Sequence, residues 1–430
     1  MDSGPRAEAY ARMTGEKRRK MLNHLRALDL TDDKGFLCGK ILADLGVNVI
    51  KIEKPGGDPS RRIGGFWGGK PDPQKSLYWF AYNSNKKGIT LDIEKPKGRE
   101  IFKKLVKSAD FVIESFPPGY LEKLGISYED FSQSNKKLIW ASITPFGTEE
   151  PYRDYKDSDI VVMGMSGTLY QTGESDGPPV HISLPQACLH AGADAAVGCM
   201  VAYYHREETG EGQHVDVSMQ QSAAWFQANA VATYELNGSI FKRAGSFRMG
   251  MSTQVAQRQV WQCQDGYVFF NVIGGRTGAK TLSSLVAWMN EEKLATDFLL
   301  NIDWDTFDMF TVSQEVMDKI SQPVGEFFLR HTRKDLLKGA VSRGVSLGPL
   351  SSMQDLLDDE CLNERDYWTQ IEHPELGTSI TYPRTFIRST EMDCSTRFRA
   401  PLIGEHNGEV YKEIGLSKDD LNSLKQDGVI

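Results

Sequence analysis

The chain has 430 residues, room for two or three domains or for one large core carrying an insertion. A composition of 40% hydrophobic and 25% charged residues, with 40 Gly and 18 Pro scattered along it, excludes collagen-like and low-complexity chains. A formal charge of −8 without a basic stripe speaks against a nucleic-acid partner, though it leaves room for a basic pocket that takes one phosphorylated cofactor.

The first twenty residues are polar and carry the run Lys17-Arg18-Arg19-Lys20. They lack an apolar core segment, so residues 1–21 read as a solvated tail and not a secretory signal. An alternation of strands and helices follows. Leu28–Leu30 is a short strand, and Gly35–Gly46 has helical spacing with Leu37, Ile41, Leu42 and Leu45 on one face. Val47–Glu53, Gly88–Ile93, Phe111–Glu114 and Leu138–Ile143 read as strands. Between them lie a helix over Lys97–Ala109 and short helices over Tyr120–Leu124 and Ser127–Asn135. Strands separated by helices predict βαβ units and a mostly parallel sheet, hence an α/β fold. The middle changes character. Ser183–Tyr204 and Gln220–Leu236 read as helices, and Arg243–Arg276 as Gly-punctuated strands that include Gly266–Asn271. Helices dominate Ala279–Val341, and a helix is expected at Lys418–Lys425. The longest apolar stretch, Ala191–Tyr204, is short and contains Asp194, so it predicts a buried helix and not a membrane span.

Six cysteines, at 38, 188, 199, 263, 361 and 394, sit singly without a CxxC or a His/Cys cluster. No metal site is expected, and the thiols fit a reducing, cytoplasmic setting. Cations gather where parallel strands should end, the usual place for an anionic ligand. Lys54, Arg61 and Arg62 follow the Val47–Glu53 strand, and Asn85, Lys86 and Lys87 precede the next. For Lys54, Arg61 and Arg62 the alternative reading is an ordinary solvated turn. Gly404-Glu405-His406 reads as a packed turn before an acid–base pair, and Asp44 and Asp92 as structural.

Seven segments occur in order: LADLGVNVIKIEKPGGD (Leu42–Asp58), YNSNKKGITLDIEKPKGREIF (Tyr82–Phe102), FVIESFPPGYLEKLG (Phe111–Gly125), MSGTLYQTGESDGPPV (Met165–Val180), HREETGEGQHVDVSM (His205–Met219), HPELG (His373–Gly377) and APLIGEHN (Ala400–Asn407). Together they closely resemble the class III CoA-transferases, the CaiB/BaiF family. The resemblance implies a Rossmann-like large domain built from both chain ends, a smaller α+β domain between, and two chains interlocked like links. Here that means a large CoA-binding domain over 22–225 and 375–430, a small domain over 243–350, and linkers at 226–242 and 351–374. It implies a coenzyme A thioester as substrate with no tightly bound cofactor. Contacts to it would come from Lys34, Lys54, Arg61, Leu91, Glu94, Glu114, Phe116, Thr144 and Phe146.

In that family an Asp attacks the acyl-CoA thioester to give a mixed anhydride, and CoA thiolate then converts the Asp to an aspartyl-CoA thioester. The Asp sits at the start of a helix in a pattern near A-D-L-x-A-G-x-x-A-A-[IV]-G. This chain reads Ala187-Cys188-Leu189-His190-Ala191-Gly192-Ala193-Asp194-Ala195-Ala196-Val197-Gly198, so Cys188 occupies the nucleophile position. A thiol has no carbonyl on which to carry CoA. Asp194 lies about 240° around the helix from Cys188 and cannot stand in. Racemisation, another chemistry of the family, needs a His where this chain has Ser158. The glycine-proline turn after the first strand has become Gly35-Phe36-Leu37.

The expected function is therefore a subunit that helps move CoA from an acyl-CoA such as succinyl-CoA to an organic acid, benzylsuccinate being an aromatic example. The expected partner is a paralogous chain with its Asp intact, with neither nucleic acid nor membrane involved. The alternatives are a homomeric enzyme of atypical mechanism and a CoA-ester-binding regulatory protein without turnover.

Overall fold

A computed structural model describes residues 22–249, 255–309 and 311–430. The basic run of the N-terminal tail, and residues 250–254 of the Gly-punctuated region, lie outside these. The chain forms two compact units. One holds the residues through Ser166, Ile182–Phe226 and Glu360–Ile430; the other holds Gly167–His181 and Gln227–Asp359.

The first unit is built on six parallel strands: β1 (Arg26–Asp29), β2 (Asn48–Glu53), β3 (Lys87–Thr90), β4 (Phe111–Glu114), β5 (Ile139–Thr144) and β6 (His214–Ser218). Their order, β3-β2-β1-β4-β5-β6, is that of a doubly wound nucleotide-binding sheet, with the switch point between β1 and β4. The central strands are near-continuous apolar runs because both faces are covered. One face is packed by Ile101, Phe102 and Leu105 from the Pro96–Val106 helix, and by Val410, Tyr411 and Leu424 from the C-terminal helices. The Phe36–Asp44 and Ala187–Thr209 helices pack against each other, and the second also packs on β5. They approach closely because residue 192 is Gly. A Cβ there would lie 2.9 Å from that of Leu37 and 3.2 Å from the backbone N of Cys38.

The Ala187–Thr209 helix starts four residues later than periodicity suggests. Asp159 Oδ1 accepts the first free N–H groups, from Gln186 at 2.9 Å and Ala187 at 2.8 Å, and so fixes its start. The helix ends on Gly210 in the left-handed region, with φ 79°. Its expected full burial is corrected. Small residues (Ala191, Ala195, Cys199, Ala202) are buried, whereas Val197, Val201 and Tyr204 are 63–70% exposed.

The C-terminal segment returns to the first unit through named contacts. Asn85, at φ 65°, clips it in place. The Asn85 amide donates to Ser395 O (2.9 Å) and Asp44 Oδ1 (2.6 Å), and its Oδ1 accepts from the N–H groups of Arg397 (2.7 Å) and Phe398 (3.0 Å). Trp79 Nε1 donates to Pro401 O at 3.0 Å, and the Asn407 side chain bonds Thr90. Beneath β1, buried Lys86 donates to Asp29 at 2.8 Å, to Phe36 O and to Asn83. Burial opposes ionised Asp29, but Lys86 and Lys51 outweigh it and hold this carboxyl below its ordinary value. Glu405 is bound bidentately by Arg399, and His406 Nδ1 accepts from the Gly88 N–H at 3.1 Å, so this pair is a packed turn.

The second unit packs the antiparallel strands Val260–Cys263, Gly266–Phe270 and Leu347–Pro349 beside the Gly275–Glu291, Gln314–Phe328 and Arg333–Arg343 helices. Trp261, Phe270, Phe327 and Phe328 anchor its core. Residues read as linkers carry regular structure. Ala228–Asn237 is helical, and Trp368–His373 pairs antiparallel with Thr378–Pro383. The single helix expected over Gln220–Leu236 is two, Met219–Trp225 and Ala228–Asn237.

Candidate functional site

A cavity of about 550 Å³ opens at the carboxyl ends of the parallel strands. Five of the six strands contribute an exit: Leu30 after β1, Ile52 to Lys54 at the end of β2, Leu91 and Ile93 after β3, Ser115 to Pro118 after β4, and Pro145 after β5. The segment from Arg153 to Asp157 closes the remaining side. Position and volume suit an extended small-molecule ligand bound at a switch point.

The structure brings four of the expected contact residues together here: Lys34, Lys54, Leu91 and Phe116. Leu91 is buried in the wall. Lys54 is exposed and paired at 2.8 Å with Glu94, which also accepts from Tyr120 Oη at 2.7 Å. Glu94 does not line the cavity. Its carboxyl is held below its ordinary value, first by the Lys54 hydrogen bond and then by that of Tyr120. Glu114 and Thr144 line a neighbouring hollow of about 290 Å³, which shares Phe116 and Arg153 with the first. Thr144 Oγ1 accepts the Gly147 N–H at 3.0 Å, and Glu114 accepts that of Phe116 at 2.7 Å. Burial pushes Glu114 up to about 7, against the hydrogen bonds it accepts from Ser142 and the Phe116 N–H. Phe146 stands apart, against Tyr152 and Tyr155.

Arg61 is corrected. Its guanidinium is buried and gripped by both oxygens of Glu53 at 2.6 and 2.8 Å. It also donates to Pro401 O and lies 3.7 Å over the Trp79 ring. It pins the C-terminal segment and has nothing left for a ligand. Sequence reasoning missed Arg153, Lys156 and Asp32 as lining residues. They sit in short charged stretches whose spacing looks like that of any solvated loop.

The exit of β1 is a fixed turn. Asp32 N–H donates to Ser115 Oγ at 2.8 Å, and that hydroxyl donates back to Asp32 Oδ1 at 2.7 Å. Asp32 also accepts the Lys34 N–H and binds the Lys34 ammonium at 2.5 Å. Burial alone would lower the Lys34 ammonium. Asp32, followed by Asp157 and Asp33, outweighs it and the net shift is upward.

Cys188 does not line the cavity. It lies in the first turn of the Ala187–Thr209 helix and is 4% exposed. A helix N-terminus ordinarily favours a thiolate. Here burial dominates, and nearby Asp159 and Asp33 add to it, so the thiol is pushed up to about 12 despite N–H groups from Cys188 and Leu189. Burial thus favours the neutral thiol at neutral pH. Asp194 is exposed, well away from Cys188 around the helix. Among the described residues no cluster of three or more His, Cys, Asp or Glu side chains could hold a metal, and no helix is long and apolar enough to cross a membrane.

The family model described as CoA-transferase family III matches residues 22–407. A subunit of succinyl-CoA:(R)-benzylsuccinate CoA-transferase (BbsE) from Thauera aromatica is 32% identical, over 95% of this chain and 98% of its own length. Succinyl-CoA–D-citramalate CoA-transferase from Chloroflexus aurantiacus is 30% identical, over 97% of this chain and 100% of its own. A CaiB/BaiF family protein from Brucella suis superimposes with a TM-score of 0.75 at 28% identity, over 92% of this chain and 99% of that one.

Proposed function

The chain belongs to CoA-transferase family III, and from that premise we propose that it is the nucleophile-lacking subunit of a heteromeric CoA-transferase. The enzyme moves CoA from an acyl-CoA such as succinyl-CoA to an organic acid. A related chain with an intact Asp supplies the chemistry. The observation that carries this reading is Cys188. The reaction needs a carboxylate, because one group must become first an anhydride and then a thioester. A buried, protonated thiol can do neither.

The cavity at the carboxyl ends of the strands has the place and volume of a CoA site, with Lys34, Lys54, Leu91 and Phe116 in its wall. Assembly into an interlocked pair is supported by the exposed apolar face of Val197, Val201 and Tyr204, with Trp225 and Phe226 also exposed. A lone chain would leave this surface in water. The free thiols of all six cysteines favour a reducing, cytoplasmic setting. That a relative matched over nearly its whole length is itself named as a subunit favours the heteromer over a homomeric enzyme.

The test is to purify the chain alone and assay it with succinyl-CoA and a panel of aromatic and aliphatic dicarboxylic acids. Transfer should be absent alone and appear on co-expression with an Asp-bearing relative. Turnover on the ordinary enzyme scale, around 10 s⁻¹, by the lone chain would refute the reading.

A further inference from the structure

CoA carries roughly three to four negative charges at neutral pH, on its 3′-phosphate and diphosphate, so a cavity that binds it well needs cations free to meet them. The cavity at the sheet edge has four: Lys34, Lys54, Arg153 and Lys156. Three are already engaged. Lys54 is paired with Glu94 at 2.8 Å, Arg153 lies 3.7 Å from Asp154, and Lys34 is held by Asp32 at 2.5 Å. Lys156 is the lining cation without an ion pair among the described residues.

These pairs differ in how easily a phosphate could replace the carboxylate. Those of Lys54 and Arg153 involve exposed partners and are worth little, so they can exchange. The Lys34–Asp32 pair is held more firmly. Asp32 is fixed by Ser115 and by the Lys34 N–H as well as by the ammonium. Asp157 and Asp33 also act on that ammonium. A phosphate drawn to Lys34 would therefore meet a carboxylate held in place by Ser115 and the Lys34 N–H, with two more acting on the same ammonium. Such like-charge repulsion opposes phosphate binding, the more so the less water reaches the pair.

We infer that this chain keeps the shape of a CoA site but not its charge: Asp32 is a built-in counter-ion that excludes CoA phosphates from Lys34, so a heteromeric pair holds one CoA, on the partner chain. The inference rests on the heteromeric reading for its stoichiometry, but not for the role of Asp32.

Native mass spectrometry of the complex titrated with CoA tests both parts. The expected result is one CoA per two chains, with a second bound only after Asp32→Asn in this chain, which should tighten the second site at least tenfold. Asp157→Asn, on the exposed loop, should act in the same direction by a few-fold, and it serves if Asp32→Asn does not fold. Two equivalent CoA molecules per natural pair would overturn the inference. So would a folded Asp32→Asn or Asp157→Asn complex with no gain. If the natural assembly contains only this chain, the heteromeric reading fails. Titration of that assembly then still decides the role of Asp32: micromolar CoA binding overturns it, and weak binding relieved by Asp32→Asn sustains it.

Discussion

At residue 188 the decisive quantity is the balance between a helix N-terminus, which favours an anion, and burial, which opposes one. Burial wins, and Asp159 takes the first free N–H groups of the helix for itself. Cys188→Ala should therefore leave complex activity within about twofold of natural, because an inert thiol is lost. Cys188→Asp tests whether only the carboxylate is missing. The new group would face Asp159 and Asp33, so its pKa should rise and its activity remain at least 100-fold below that of the partner site, read as CoA transfer by the lone chain. Glu114 gives a prediction of opposite sign to the usual carboxylate. Its folded value, about 7, lies above its ordinary 4.5, so the folded state holds a proton that the unfolded state releases. Its contribution to stability is complete below pH 4.5 and is lost as the pH rises through 7, by roughly 3 kcal/mol at most. Denaturant midpoints measured from pH 5 to 8 should fall less steeply for Glu114→Gln than for the natural chain.

Among the elements, the helix–helix seam at Gly192 and the clip at Asn85 carry the most. Gly192→Val must displace Leu37 or the backbone at Cys38, an overpacking cost of about 1–3 kcal/mol visible as a lower denaturation midpoint. Asn85→Ala removes four hydrogen bonds, three of them to buried or half-buried partners, and should cost about 2–4 kcal/mol. Limited proteolysis should then cut first within residues 390–400. The strands and the order of helices around them were legible because alternating β-branched runs and Gly/Pro breaks report local geometry. The Leu77–Asn83 helix was not. Its buried Trp79 makes sense only against Pro401, over 300 residues away. Arg61 misled for the same reason. Beside Lys54 it reads as one more cation at a strand end, and only Glu53 and the returning C-terminal segment show that it is spent. The place of Cys188 at the start of the long helix was legible because the HREETGEGQ exit and a pattern of small residues fix the helix frame. The Asp32 turn was not, since its partner Ser115 comes from the exit of β4, more than 80 residues away.

For the molecule as a whole, the account joins three facts. The carboxyl ends of the parallel strands offer a cavity, a buried thiol stands at position 188, and the long helix that bears it exposes Val197, Val201 and Tyr204. A chain with those properties is retained if it completes an architecture shared with another chain, where a buried interface makes stability inseparable from assembly. Lone chain at micromolar concentration should accordingly aggregate or self-associate, and Tyr204→Asp should impair co-purification with the partner without changing the secondary structure seen by circular dichroism. The most direct test of the central claim is CoA transfer by the co-expressed complex carrying one substitution at a time. If this chain is the silent half, mutating the partner's nucleophile to Asn abolishes transfer, and Cys188→Ala in this chain leaves it intact. Transfer that survives the partner substitution but is lost with Cys188→Ala would contradict the account.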